Sequence, residues 1–448
     1  MKRVPRKEMT SLRDLYAHFF DKFQHRVRKM PQSYVTAFFV LLPSILYVAR
    51  AWQYIAHPQL YAEDGAVWMA DAHNKGMGSI FLPYNQFLHT FERVFALLVI
   101  HFPLDWAPFL FNVTGFALFV LMCYYLFSAR SSILTSNFQR LFIAFSLGLI
   151  ANFTQFYFNF SNSIFLVGVI GLCIYLVQPS RHFIVRLLEK VFFILACLTL
   201  PFACFYLPII LFDYFRHKTK KVFYLVCSVI GSVTQLMIYA STATHRPTIP
   251  ITMLLSSKYV FIELLNQIIT PALFFVRFYN GFNAQSREGL PIAIFCILLI
   301  LLSLFVVIKH AGTKLRYFIF FLIVFTMVAL KAPLVGSNIV GINVLRFMAV
   351  TPGGNRYFFY GILSLLLIIA LAAETYIKKR ASYVFLAGFM LFGLTLSIAS
   401  DSWTIHKFFF VSYSQAYSEG VEKLRKNPRT PVAIPENPVG WTIELNAK

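Results

Sequence analysis

Apolar runs of about 18–22 residues recur from residue 34 to residue 400, and at 1.5 Å per residue each is long enough to cross a bilayer core. In hydrocarbon every backbone N–H and C=O needs a partner within the protein, so only helices and closed barrels span it. These runs are continuous rather than alternating, which selects helices over a barrel. The expected fold class is all-α: a polytopic transmembrane helix bundle of about 9–11 spans. The 51 Phe and 23 Tyr suit lipid-facing and interfacial surfaces.

Forty Lys and Arg stand against 18 Asp and Glu, a net charge of +22. Nucleic-acid binders share such a balance, but here the cations gather in short loops between runs: 1–29, 216–221, Lys314 with Arg316, and 378–380. Loops of this kind stay on the cytoplasmic side and attract anionic head groups. The expected partner is therefore the lipid bilayer and not nucleic acid. Residues 1–31, with Leu12, Leu15, Phe19 and Phe23 at near-helical spacing, read as a cytoplasmic basic amphipathic segment. Residues 32–400 form the membrane domain and 401–448 an extracytoplasmic tail. The first span then runs outward and leaves 53–90 as the first outer loop. The polar stretch ahead of that span makes it a retained anchor rather than a cleaved signal.

Four apolar stretches lie between 88 and 177, yet Arg181, Arg186 and Lys190 should return to the inside, so one stretch does not cross. The expectation falls on 88–102, which is short and carries Glu92 and Arg93. Residues 191–215, with Pro201 and Pro208, are expected to form a kinked hairpin that enters and leaves on one side. All six cysteines fall within apolar runs and read as packing residues. With no zinc spacing, P-loop, dinucleotide fingerprint or nucleophile elbow, no metal and no cofactor is expected.

The first outer loop holds His57-Pro58-Gln59-Leu60-Tyr61-Ala62-Glu63-Asp64-Gly65. Two adjacent acids at a membrane boundary are costly unless paired, solvated or used. Asp64 as the cap of a helix over 66–75, closed by Gly76, accounts for one of them and leaves Glu63 unexplained. Three other polar sets reach the same face: His89 with Glu92 and Arg93, Arg277 with Arg287, and Lys331 with Arg346 and Arg356. In Thr351-Pro352-Gly353-Gly354-Asn355-Arg356-Tyr357 the glycines permit close backbone approach to a ligand, and Arg356 follows with a planar fork suited to phosphate. Cationic anchors belong mainly on the inner side, so cations outside call for a use. An acid facing phosphate-binding cations fits attack by an acceptor hydroxyl on a lipid-phosphate sugar. The candidate donor phosphate ligands are Arg356, Arg346, Arg93, Arg277 and Lys331. Trp403, Tyr413 and Trp441, among prolines 428, 431, 435 and 438, make the tail a small folded cap whose aromatic rings suit sugar stacking or interfacial packing.

An acidic pair just after the first span resembles the GT-C superfamily of integral-membrane glycosyltransferases. The resemblance is carried by His57…Tyr61-Ala62-Glu63-Asp64-Gly65, Leu82-Pro83-Tyr84…His89…Arg93, Gly353-Gly354-Asn355-Arg356-Tyr357-Phe358 and Ile434-Pro435-Glu436-Asn437-Pro438-Val439-Gly440-Trp441. It implies a polyprenyl-linked sugar donor and a catalytic base in this loop, Glu63 or Asp64. The layout is similar to the serotype-converting O-antigen glucosyltransferases. That likeness implies transfer of a hexose, with glucose the expected sugar, from undecaprenyl phosphate to a polysaccharide or glycolipid acceptor such as O-antigen. The site would lie at the outer face of a bacterial inner membrane, with a carrier-sugar synthase and a small flippase as pathway partners. Acceptor contacts are assigned to Tyr61, His89, Tyr357 and Trp441. The competing readings are a glycan polymerase or ligase using lipid-diphosphate donors, and a non-enzymatic flippase or secondary transporter.

Overall fold

The structure is a computed structural model that describes residues 30–150, 158–218, 221–242, 258–275, 289–331, 355–377, 379–399 and 413–446. Among the described residues six helices are long and apolar enough to cross a membrane: Gln32–Ala56, Leu104–Phe127, Val222–Ser241, Thr313–Lys331, Arg356–Tyr376 and Ala381–Ala399. Three shorter apolar helices accompany them, Phe160–Leu176, Val260–Phe274 and Ile294–His310. The molecule is thus a helical membrane bundle.

Helix α1 (Gln32–Ala56) opens it. Its C-terminal end leads to a π-helical turn, Asp64–Met69, which runs into α2 (Ala70–Lys75) and ends at Gly76 with φ +55°. That left-handed terminus is where glycine is favoured. The helix expected over 66–75 is therefore present and begins at Asp64. Asp64 is not its cap: Glu63 occupies the cap position, and no side chain caps the turn.

A 3-10 turn, Gly76–Phe81, precedes a tight reversal in which Asn85 and Gln86 both have positive φ and Tyr84 and Phe87 exchange backbone hydrogen bonds. Two consecutive left-handed residues make the two-residue turn whose twist matches paired strands. The stretch expected not to cross becomes α3 (Thr90–Val99), ten residues long. Next come α4 (Ala107–Phe127), α5 (Asn137–Leu149) and α6 (Phe160–Leu176).

Every residue of α6 is buried, so it forms the axis of the bundle. Asn159 caps it, accepting the Asn162 N–H at 3.0 Å. The expected broken hairpin is α7 (Phe183–Cys197) and α8 (Phe202–His217). Helix α7 starts well before residue 191: Arg186 and Lys190, expected in a loop, lie within it, because its apolar residues keep helical spacing back to Phe183. The hairpin tip reaches the loop that follows α1, where Thr199 bridges His89 and the Leu88 carbonyl accepts the Leu200 N–H.

Helices α9 (Val222–Ser241), α10 (Lys258–Leu264), α11 (Thr270–Phe274), α12 (Gly289–His310), α13 (Thr313–Lys331), α14 (Phe359–Tyr376) and α15 (Lys379–Ala399) complete the bundle. The described part of the tail is folded, as expected of a cap. It contains α16 (Ser414–Lys426) and, beyond an all-α description, an antiparallel hairpin of β1 (Val432–Glu436) and β2 (Trp441–Leu445). Alternate hairpin residues Ile434, Ile443 and Leu445 are fully buried, the two-residue period of a sheet with one covered face. All six cysteines are free.

Candidate functional site

The tail and the first loop are joined by hydrogen bonds along their length. Ala62 donates its N–H to the Asn437 carbonyl, and Asn437 Nδ2 donates to Gln59 Oε1 at 2.6 Å. Asn74 donates to the Glu444 carbonyl at 2.9 Å, and Asn74 Oδ1 accepts the Asn446 N–H at 2.8 Å. Arg425 pairs with Asp105 at 2.6 Å. These contacts hold Ala62 at φ +51°, a left-handed conformation that disfavours any residue with a side chain. The strained residue immediately precedes the acid pair and aims it.

The two acids then diverge. Asp64 is fully buried. Its Oδ1 accepts the Ser161 N–H at 2.7 Å and also the Ser161 hydroxyl, while Ser161 Oγ in turn accepts Trp68 Nε1–H at 2.9 Å. The carboxylate thus sits at the N-terminus of α6, where unpaired backbone N–H groups and the helix dipole favour an anion. Oδ2 has no hydrogen-bond partner among the described residues. Burial pushes the Asp64 pKa up from 3.8 to about 7, against the Ser161 hydrogen bonds, with the Glu63 charge adding to the rise. Glu63 remains half-buried, with the Tyr84 hydroxyl 3.5 Å from its Oε1.

Arg356 arrives from the far end of the chain, in the 3-10 turn Asn355–Phe358 ahead of α14. Its Nη1 donates to Asn162 Oδ1 at 2.8 Å, beside Ser161 on the same helix end, and its guanidinium lies over the Tyr357 ring at 5.2 Å. Burial raises the pKa of both Tyr61 and Tyr84; the Glu63 charge adds to each rise and the Arg356 charge opposes it. Glu63, Arg356 and the two phenols therefore share one locality, brought together from residues 61, 63, 84 and 356.

The other expected site residues divide. Arg93 is 2.9 Å from Asp71 in an ion pair and stacks on Trp68 at 5.2 Å. His89 is buried against the same indole, ring centroids 5.0 Å apart. Tyr357 is buried with its ring edge-on to Phe165. Lys331 is exposed at the last position of α13, which packs on the Arg356 turn. Trp441 begins β2, half-exposed, paired in register with Glu436. Arg277, Arg287, Arg346 and Trp403 lie outside the described residues.

Three residues of the site have no role assigned from the sequence, although Glu436 stands in one of the motifs quoted above. Ser161 and Asn162 open an apolar run, and the Asn159 cap signature is the signal that marks a helix terminus there. Glu436, 2 % exposed, accepts the Ala66 N–H at 2.7 Å and approaches Gly65 so closely that a Cβ there would collide with it and with Ile443. Burial, and then the Asp64 charge, hold its carboxyl well above the usual range. Among the described residues no group of three or more His, Cys, Asp or Glu forms a metal site.

No protein-family model, curated protein or solved structure matches the chain.

Proposed function

We propose that the chain is an integral-membrane glycosyltransferase that moves a hexose from a polyprenyl-phosphate carrier to an acceptor hydroxyl of a bacterial surface glycan, at the outer face of the inner membrane. One observation carries the reading: the Glu63-Asp64 segment and Arg356, 293 residues beyond Glu63 in sequence, meet at the N-terminus of α6, Asp64 on Ser161 and Arg356 on Asn162. The guanidinium fork of Arg356 holds the donor phosphate. Glu63 is the carboxylate that an acceptor reaches, because Asp64 is sealed. The acceptor oxygen bonds to the anomeric carbon and its proton passes to Glu63. The bond from that carbon to the phosphate oxygen breaks, and its electron pair leaves with polyprenyl phosphate beside Arg356. Asp64 positions Glu63 by tying the loop to the N-terminus of α6.

The test is label transfer in nanodiscs from polyprenyl-phosphate [¹⁴C]hexose to lipid-linked glycan. Glu63-dependent incorporation is expected. Movement of the intact donor between leaflets without incorporation would replace this reading with the flippase.

A further inference from the structure

Beside the acid segment, between the first loop and the tail, lies an open cleft of about 250 Å³. His57, Gln59, Tyr413, Ser414, Tyr417 and Glu436 line it. Two polar atoms of its lining residues are buried with no hydrogen-bond partner among the described residues: Gln59 Nε2 and Ser414 Oγ. Gln59 is 8 % exposed and Glu436 2 %. The amide orientation of Gln59 is set by its neighbour. The Tyr413 backbone N–H can only donate, and it points at Gln59 Oε1 from 3.2 Å, so the NH₂ group is turned the other way. Buried polar groups are costly when unpaired, and two along one cleft mark a ligand that pairs them.

The chemistry of the wall selects the ligand. It offers an N–H donor and a hydroxyl that donates or accepts, beside two phenol rings. Neither Lys nor Arg lines it, so its wall offers no cation to grip a phosphate. A neutral polyol needs this mixture, with aromatic faces for its C–H groups. The volume is below the roughly 300–1,000 Å³ of sites for drug-sized ligands, which leaves room for one sugar ring with the rest of its chain outside.

We infer that this cleft binds one neutral sugar unit of a glycan, next to the carboxylates, while the phosphate site is separate at Arg356. Naming that sugar the acceptor rests on the proposed transfer reaction; the binding does not. Glu436 links the two places, since it holds the Ala66 N–H of the acid segment and also lines the cleft.

The experiment presents the purified full chain in nanodiscs to an array of immobilised bacterial polysaccharides, then titrates the strongest binder. Wild type should bind at least one neutral polysaccharide. Gln59→Glu removes the donor and keeps the oxygen that accepts from Tyr413 and Asn437, and Ser414→Trp fills the cleft from its half-exposed rim. Each should weaken glycan binding tenfold or more with polyprenyl-phosphate glucose binding unchanged. Wild-type affinity in both variants, with thermal transitions as in wild type, overturns the inference. So does a wild type that binds no neutral glycan, or one that binds calcium chloride in its place. Glycan binding without hexose transfer would sink the proposed reaction and leave the cleft assignment standing.

Discussion

Replacing Asp64 by Asn should flatten the pH dependence of folding stability. Asp64 is fully buried and its pKa rises from 3.8 to about 7, equivalent to roughly 4 kcal/mol of folding free energy. The direction follows from proton counting. Between those two values the native chain holds a proton that the unfolded chain has released, so stability falls as pH rises. The loss begins near pH 4 and is complete once Asp64 ionises in the fold, above pH 7. From pH 5 to pH 8 about 3 kcal/mol of it is realised. Asn keeps an oxygen to accept from Ser161 and never ionises, and its neutrality also relieves Glu436. Thermal unfolding in detergent, followed by tryptophan fluorescence at fixed ionic strength, reads the difference. At roughly 2 °C per kcal/mol, wild type should lose about 6 °C more than Asp64→Asn across this window. Parallel curves for the two proteins would refute the assignment of a neutral buried Asp64.

Glu63→Gln should lower hexose transfer about 10²–10⁴-fold with membrane insertion and melting unchanged, measured on purified protein. Arg356→Lys keeps charge and loses the fork: a rise in donor KM at constant kcat marks a grip on the phosphate throughout, whereas a fall in kcat at constant KM marks stabilisation of the departing charge. Gly65→Ala forces a methyl into Glu436 and Ile443 and should cost about 1–3 kcal/mol, seen as faster proteolysis of the tail. Cysteines placed at exposed Lys75 and Lys423 should react with an impermeant maleimide from the same side of sealed spheroplasts, and one at Lys218 should not; reaction of Lys218→Cys alone would invert the orientation.

The helical bundle was legible because hydrocarbon permits few alternatives, and the runs state their lengths directly. Glu63, Asp64 and Arg356 stood out for a related reason: charge is rare beside these runs, so each instance asks for an explanation. What was not legible depends on distant partners. Asp64 has the spacing of a cap, and only the arrival of the α6 terminus gives its carboxylate to Ser161. Nothing in Phe160-Ser161-Asn162-Ser163 says which loop it meets. Arg93 looks as available as Arg356 in sequence, yet Asp71, one helix away, is its ion-pair partner. The early start of α7 was hidden by Arg186 and Lys190, whose charges read as loop although the apolar positions between them keep the helical period.

The docking of β1 against the acid segment bears on how the molecule is made. Ala66 and Ala62 wait for Glu436 and Asn437, which the ribosome supplies some 370 residues later. A nascent chain halted after α15 would hold every described membrane helix and still lack the contacts that set the Ala62 backbone. Setting the Ala62 backbone is thus tied to synthesis of the tail hairpin, long after the loop it organises has left the ribosome.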